Sequence, residues 1–202
     1  MSTILLINAP FYDLYGVSKN AFSYYFPLGI GYIASFLMKH GYSVDLIVES
    51  KDKDIYESLC EKLESGKYLY IGISSMTSAF PAAIKVAKTI RRLCPQTPIV
   101  LGGAHVSGVG PQCIEDHPEI DFLCIGEGEI TSLELARALE QENPDLATIN
   151  GLVWRGSQGK IMVNSPRAFH LNIDDFPFPA RHLVDFEDFS IHSHVVAGGG
   201  AS

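Results

Sequence analysis

The chain has 202 residues, 47% of them hydrophobic and 19% charged, which is enough for one good core plus an appendage in an ordinary globular protein. Its formal net charge of −8 argues against a surface for nucleic acid or anionic membranes, and no apolar stretch approaches the ~20 residues of a membrane span. The four cysteines lack CxxC spacing and the N-terminus lacks a signal sequence, so we expect a reduced, cytoplasmic protein without nucleic-acid or membrane partners.

Five apolar segments predict buried strands, and helical patterns follow them along the chain. The first strand is expected at 3–8, and a helix over 28–39 then ends at the stop signal His40-Gly41. The remaining strands are expected at 43–48, 69–73, 99–101 and 122–125, and the remaining helices over 54–64, 81–94 and 131–142. Thr131 and Glu134 have the spacing of a capping box, which predicts the start of the last helix.

Strands that alternate with helices are typical of a parallel sheet with right-handed crossovers and helices on both faces. The sequence therefore predicts an α/β, Rossmann-like (flavodoxin-like) fold in three layers, with a five-stranded parallel sheet in the order 2-1-3-4-5. The segments 151–155 and 160–164 predict a small C-terminal β-hairpin extension. Beyond it, 174–181 is punctuated by prolines, and the glycine-rich 198–202 is typical of a linker.

The unusual loops of the chain all follow predicted strands. They are the aromatic-rich 10–26, the hydroxyl-rich 74–78 and the glycine-containing 102–108 and 126–129. The connections at the opposite strand ends are plain helix stops. Because the carboxyl ends of parallel strands meet at one edge of the sheet, this asymmetry predicts a ligand site at that edge.

One sequence motif suggests a dinucleotide-binding site. Gly29-Ile-Gly-Tyr-Ile-Ala34, with Glu49 further on, matches the dinucleotide-binding fingerprint. The glycines of that fingerprint belong in the tight turn directly after the first strand, whereas here they lie inside the predicted first helix. Small residues for close packing of a helix on the sheet explain them better.

Other polar residues of the rim have simple structural explanations as well. Glu127 and Glu129 could form an acid/base pair, but the helix dipole favours carboxylates at a helix N-terminus anyway. His105 suits a metal ligand, a hydrogen-bonding group or a loop cap, and a lone histidine is most often the last. The hydroxyls of 74–77 lack a base nearby in sequence and suit ligand binding better than nucleophilic attack. We predict no catalytic residue and no metal ligand, and we expect the tail histidines in solvent: His182, His192 and His194.

Taken in order, the motifs of this chain resemble the N-terminal cobalamin-binding domain of cobalamin-dependent radical S-adenosylmethionine enzymes. The motifs are Pro27-Leu-Gly-Ile-Gly-Tyr-Ile-Ala34, Ser74-Ser-Met-Thr77, Leu101-Gly-Gly-Ala-His105, Gly126-Glu-Gly-Glu129, Asn150-Gly-Leu-Val-Trp-Arg155 and Asp174-Asp-Phe-Pro-Phe-Pro-Ala-Arg181. The resemblance covers nearly the whole chain. It implies a Rossmann-like domain whose strand ends hold the corrin ring and the dimethylbenzimidazole tail of cobalamin.

The resemblance also implies which residues bind the cofactor. Ser75 and Thr77 would line the slot for the tail, Gly102 and Gly103 would let it approach the backbone, and His105 would lie at the edge of the pocket. The turn 126–128 would flank the slot on its other side, and the loop 11–26 would face the corrin. The full set of implied cofactor-binding residues is Pro10, Phe26, Ser74, Ser75, Met76, Thr77, Gly102, Gly103, His105, Gly126, Glu127 and Gly128.

Two departures from related patterns shape the expected function. The cobalt-ligating Asp-x-His-x-x-Gly motif of methionine-synthase-like domains is absent after the first strand, which implies a cobalt without a histidine from this domain. The Cys-x-x-x-Cys-x-x-Cys motif that holds a radical 4Fe-4S cluster is also absent. The cluster and S-adenosylmethionine would therefore belong to a longer chain, and this chain alone is expected to be a cofactor module rather than an enzyme.

The resemblance gives the domain organisation and the function that we expect. Residues 1–145 would form the cobalamin-binding domain, and 146–202 would form the hairpin and a proline-rich linker toward a radical barrel, present in cis or in trans. The full protein would carry out methyl transfer or a rearrangement. Two other hypotheses remain: a cobalamin-free domain that serves as a docking or structural element, and an FMN carrier. The turn at 8–12 does not supply the phosphate-binding hydroxyls that FMN needs.

Overall fold

A single seven-stranded sheet organises the computed structural model, which describes residues 1–11, 26–49 and 54–185. The strand order is β2-β1-β3-β4-β5-β6-β7; the first five strands are parallel, and β6 and β7 pair antiparallel. The strands are β1 (Thr3–Asn8), β2 (Ser43–Ile47), β3 (Ile71–Ser74), β4 (Ile99–Gly102), β5 (Phe122–Cys124), β6 (Leu152–Arg155) and β7 (Ile161–Val163).

Helices cover both faces of this sheet. They are α1 (Leu28–Lys39), α2 (Ile55–Ser65), α3 (Phe80–Leu93), α4 (Ala104–Val109), α5 (Gln112–Glu115) and α6 (Gly128–Leu139). The helices α2 to α5 pack on one face, and α1 and α6 pack on the other and against each other. None of the helices in the described ranges is long and apolar enough to cross a bilayer.

The period-two alternation of the strands divides the interior into two cores. In β1, Leu5 and Ile7 belong to the core under α2 to α5, whereas Ile4 and Leu6 belong to the core under α1 and α6. All four side chains are at most 3% exposed. A strand buried on both faces reads as a continuous apolar run, which is why the parallel strands could be recognised in the sequence.

The sheet differs from the predicted one in its size. The sequence predicted a five-stranded sheet with a small C-terminal β-hairpin extension, whereas β6 pairs antiparallel with β5 and makes the sheet seven strands wide. The turn at Gly151, with φ of +78°, brings its carbonyl to the amide of Ile125 at 2.8 Å. The pairing satisfies the outer edge of β5, which would otherwise expose unpaired backbone groups.

The start of α6 is a second correction. The capping box at Thr131 and Glu134 does not form, because α6 begins at Gly128 with Glu127 at its N-cap. Thr131 lies inside the helix, where its hydroxyl donates to the carbonyl of Asn150 at 3.1 Å. Segment 102–108, expected as a loop, likewise becomes helical from Ala104 onward.

The chain after β7 returns across the domain; we call residues 164–185 the returning segment. Its Ala180 amide donates to the Gly31 carbonyl at 3.0 Å, and the ring of Phe176 lies 5.2 Å from that of Phe36. The Nζ of Lys39 donates to the carbonyl of residue 175 at 2.9 Å. The returning segment is therefore fixed against the outer side of α1.

Candidate functional site

A cavity of about 280 Å³ lies between the sheet and the helix pair α1–α6 and reaches the carboxyl edge of the strands. The strands β1, β3, β4 and β5 form one wall, and the first turns of α1 and α6 form the other. The cavity is therefore at the place where ligands bind in open parallel sheets.

Two glycines on neighbouring strands create the space. Gly72 pairs in register with Leu6 on one side and Val100 on the other, so a gap opens between two large side chains. A Cβ on Gly72 would lie 2.9 Å from the Cδ2 atom of Leu6. A Cβ on Gly102 would meet Cys124 at 3.6 Å, in ordinary contact, and would project into the cavity. The sheet thus offers bare backbone where a flat ligand can approach.

The deep end of the cavity is closed by Tyr70 and Ser132. Tyr70 is 1% exposed, and its hydroxyl donates to the carbonyl of Ser132 at 3.3 Å. Burial raises the pKa of Tyr70 well above its ordinary value, so the phenol keeps its proton. The floor is therefore neutral.

The rim carries two carboxyl groups and a thiol. Burial raises the pKa of Glu129, and the nearby carboxylate of Glu127 raises it further, while backbone N–H groups of the first turn of α6 act in the opposite direction. Burial also raises the pKa of the Cys124 thiol to about 12, which keeps it protonated and unreactive. Glu127, in contrast, is exposed at the mouth.

Helix α6 approaches α1 closely at the mouth. A Cβ on Gly128 would lie 2.6 Å from the Cδ1 atom of Ile33, so the absence of a side chain there lets the two helices meet. Gly126, with φ of +84°, turns the chain from β5 into α6, and its amide donates to the Ser107 hydroxyl at 3.0 Å.

The structure brings together half of the residues expected at the cofactor. The cavity-lining members of that set are Ser74, Gly102, Gly103, Gly126, Glu127 and Gly128. The others lie beside the cavity and do not line it: Pro10, Phe26, Ser75, Met76, Thr77 and His105. The aromatic residues of 12–25, expected to face the corrin, and His192 and His194 are outside the described residues.

The turn after β3 points away from the cavity. Ser75 is 2% exposed, and its hydroxyl donates to the carbonyl of Met76 at 2.9 Å. The ring of His105 stacks 4.0 Å from that of Phe80, and its Nδ1 lies 3.3 Å from the Thr77 hydroxyl. These contacts link α4 to the start of α3, on the other face of the sheet.

The two residues that flank the loop 11–25 are also placed outside the cavity. Pro10 is buried directly after β1. The ring of Phe26 lies against Gly31 of α1 and beneath the guanidinium of Arg181, whose central carbon is 5.6 Å from the ring centroid. Phe26 therefore contacts the returning segment.

Sequence reasoning missed the deep half of the site. Tyr70, Gly72, Val100 and Ser132 all line the cavity. A usable signal was present, because a glycine inside an apolar strand marks a close approach of backbone or ligand. Positions 70, 72 and 74 share one face of β3, so the glycine also indicated which side of the sheet is open.

Chemically, the cavity suits binding rather than reaction. Its walls are mostly apolar side chains and glycine backbone, with hydroxyl and carboxyl groups at the mouth and on the floor. Within the part of the chain that the structure describes, no three His, Cys, Asp or Glu side chains are grouped to hold a metal ion. A flat, largely apolar ring system with a polar attachment is the ligand that this arrangement fits.

Known proteins with similar sequences include a domain family and several enzymes. A family model described as B12 binding domain matches residues 16–136. An uncharacterized methyltransferase of Pyrococcus horikoshii is 29% identical over 163 residues, which are 81% of this chain and 35% of that protein. An anaerobic magnesium-protoporphyrin IX monomethyl ester cyclase of Synechocystis is 30% identical over 170 residues, 82% of this chain and 33% of that protein. The chain thus spans about a third of the length of these relatives.

A solved structure shares the fold. The cobalamin-dependent S-adenosylmethionine radical enzyme OxsB, with aqua-cobalamin and S-adenosylmethionine bound, superposes with a TM-score of 0.74 over 89% of this chain and 24% of that chain. The sequence identity is 22%. The radical methyltransferase TokK of Streptomyces tokunonensis, described as cobalamin-dependent, is 32% identical over 111 residues, 54% of this chain and 16% of that protein.

Proposed function

Because the chain belongs to the B12 binding domain family, we propose that the cavity at the carboxyl edge of its sheet binds the tail of cobalamin. The observation that carries the proposal is the bare wall at Gly72 and Gly102, where neighbouring strands leave out side chains on the same face. A cavity of about 280 Å³ suits a two-ring base, whereas the larger corrin would lie over the mouth.

The residues at the mouth have distinct tasks in this arrangement. Gly102 and Gly103 give the tail its backbone contact, Ser74 offers a hydroxyl, and the first turn of α6 closes the opposite side. His105 is held by Phe80 and Thr77. We therefore propose that this domain supplies no histidine to the cobalt.

Bound cobalamin would supply a transferable methyl group or assist a rearrangement in the complete protein. Two of the similar proteins are methyltransferases and one is a cyclase, which supports methyl transfer more directly than a rearrangement. The 4Fe-4S cluster and S-adenosylmethionine would be held by a radical barrel outside this chain.

The two parts of the chain would divide the work. All the cavity-lining residues fall between Leu6 and Ser132, which supports a cobalamin-binding unit within 1–145. The returning segment exposes four large apolar side chains within ten residues, with exposed fractions of 79, 97, 70 and 88%: Phe169, Leu171, Ile173 and Phe178. We propose that 146–202 leads to the radical barrel and that these side chains contact it.

A titration with hydroxocobalamin tests the binding proposal. The purified chain is titrated, desalted and examined by visible spectroscopy, and we expect a stoichiometric amount to remain with a base-off spectrum. Gly102→Ala should weaken retention and Gly102→Leu should nearly abolish it, because the added side chain enters the cavity. Ser65→Leu adds the same side chain at the exposed end of α2, remote from the cavity, and should bind normally.

The outcomes separate the alternatives. Equal retention by Gly102→Leu and the parent chain, with both folded by circular dichroism, would place the cofactor elsewhere. Loss of all pigment from the parent would favour the cobalamin-free docking domain. Phe178→Ser, in the returning segment, should retain the pigment fully; weaker retention would contradict the proposed division of the chain.

A further inference from the structure

We propose that the deep end of the cavity selects corrinoids by their lower base and prefers a benzimidazole to a purine. The inference rests on the proposed function, in which the tail of the corrinoid enters this cavity. It concerns a different question, namely which member of the corrinoid class the domain accepts.

The depth of the cavity follows from the register of the strands. Ser74 lies at the end of β3, at the mouth, and Tyr70 lies on the same face at the opposite end. On the helix side, Ser132 is one turn further into α6 than Gly128. The leading edge of any ligand in the cavity therefore meets Tyr70 and Ser132.

The orientation of the base decides which atoms arrive there. In a nucleotide tail the ribose is attached to the five-membered ring of the base. The six-membered ring is then the part furthest from the mouth. A benzimidazole has only carbon atoms in that ring, whereas a purine such as adenine has two ring nitrogens and an amino group.

The walls at this depth have few hydrogen-bonding groups. Leu6 and Val100 flank Gly72 and are 3% and 6% exposed. The hydroxyl proton of Tyr70 is already donated to a carbonyl of α6. Among the described residues, the side-chain hydroxyl of Ser132 is left as a donor on the floor.

One donor cannot satisfy both ring nitrogens of a purine. At least one of these acceptors would be buried without a partner, and an unsatisfied buried polar group weakens binding by about tenfold or more. The carbon atoms and methyl groups of a benzimidazole meet Leu6 and Val100 without that loss. The floor therefore favours a benzimidazole over a purine because it lacks donors for the purine nitrogens, so that selectivity arises from weaker binding of the disfavoured ligand.

Three corrinoids test this selectivity on the full chain: cobalamin, its analogue with adenine as the lower base, and cobinamide, which has no base. Dissociation constants come from equilibrium dialysis with visible detection. We expect cobalamin to bind about tenfold or more tightly than the adenine analogue. Cobinamide should bind more weakly than cobalamin, because it leaves the cavity unfilled.

A single hydroxyl should reduce the preference. Val100→Thr has nearly the same shape and adds a donor at the floor, so the ratio of the two dissociation constants should fall several-fold. Val163→Thr makes the same change at an exposed position of β7 and should leave the ratio unchanged. The comparison of corrinoids on the parent chain stands even where the Val100 variant does not fold.

Each result has a definite meaning. Equal binding of cobalamin and its adenine analogue overturns the selectivity and leaves the proposed function intact. Cobinamide bound as tightly as cobalamin shows that the tail is outside the cavity, which overturns the selectivity and the placement of the tail together. Retention of none of the three corrinoids overturns the proposed function and this inference with it.

Discussion

The two faces of the sheet use the same strands in opposite ways. On the face under α2 to α5, β3 and β4 present Ile71, Ile73, Ile99 and Leu101, all at most 2% exposed. On the face under α1 and α6, the same two strands present Gly72, Ser74, Val100 and Gly102, and Tyr70 lies directly before β3. One face is filled by branched side chains, and the other is left open by glycines.

This difference shows how a parallel sheet can be stable and hold a ligand at once. The close-packed face supplies burial of apolar surface, which is the main favourable term in folding. The open face gives up part of that burial and leaves room at the carboxyl edge. Hydrogen bonds then hold its helices: the Tyr70 hydroxyl donates to the Ser132 carbonyl of α6, and the Nε of Arg167 donates to the Thr131 hydroxyl at 2.7 Å.

The largest expected contrast is between Leu101 and Val100, adjacent residues on opposite faces. Leu101→Ala should lower the free energy of unfolding by about 3–5 kcal/mol, because it opens a new void in a close-packed core. Val100→Ala should cost about 1.5 kcal/mol, the transfer of two methyl groups, because a cavity is already present beside it. Urea unfolding measures both values, and an equal loss per carbon atom removed would contradict the difference between the faces.

The hydrogen bonds of the open face predict the second-largest effect on the free energy of unfolding. The side chain of Arg167, 13% exposed, donates to the Thr131 hydroxyl and to the Asn150 carbonyl at 3.0 Å, and it pairs with Glu134. Arg167→Met should lower the free energy of unfolding by about 1–3 kcal/mol, since the buried Thr131 hydroxyl loses a donor and the ion pair with Glu134 is lost.

Lys160→Met serves as the control for that experiment. Lys160 is exposed, so its substitution should change the free energy of unfolding by less than about 0.5 kcal/mol. If Arg167→Met were as mild as this control, the returning segment would contribute nothing to holding α6.

How much of this could be predicted from the sequence depends on how local the signal is. The strands and most helices were predicted because their apolar runs and stop signals lie within each segment. The capping box at Thr131 failed because that hydroxyl bonds to Asn150, a long-range partner that a local pattern cannot show. The pairing of β6 with β5 depends in the same way on contacts between distant segments.

The same distinction between local and long-range signals applies to the residues of the functional site. The glycine-rich turns at the mouth were visible as departures from ordinary strand–helix connections. The floor was missed, because Tyr70 and Ser132 look like ordinary core and helix residues until strand and helix are superposed. The roles of Ser75, Thr77 and His105 at the cofactor stay predictions, and the structure places them beside the cavity.

The floor offers a smaller test of the open face. Tyr70→Phe keeps the ring and removes the hydrogen bond to the Ser132 carbonyl, which should cost about 0.5–1.5 kcal/mol of unfolding free energy. Tyr32→Phe, at a half-buried position of α1, is the control and should cost less. Equal small losses would show that the bond between sheet and α6 does not help to hold the open face.

The smallest expected effect concerns Glu129 and has a sign that depends on pH. Burial raises the pKa of this carboxyl above its ordinary value of 4.5, so the folded chain holds the proton more strongly than the unfolded chain does. Stability from this group is then complete below about pH 4.5 and falls as the pH rises through the raised pKa. Glu129→Gln should therefore be more stable than the parent at neutral pH, and the difference in stability should disappear in acid.

Glu64→Gln, at an exposed position of α2, controls for the loss of one negative charge. Urea midpoints between pH 4 and pH 8 test this prediction: a parent chain more stable than Glu129→Gln at neutral pH would mean that the favourable backbone N–H groups of the helix N-terminus outweigh burial.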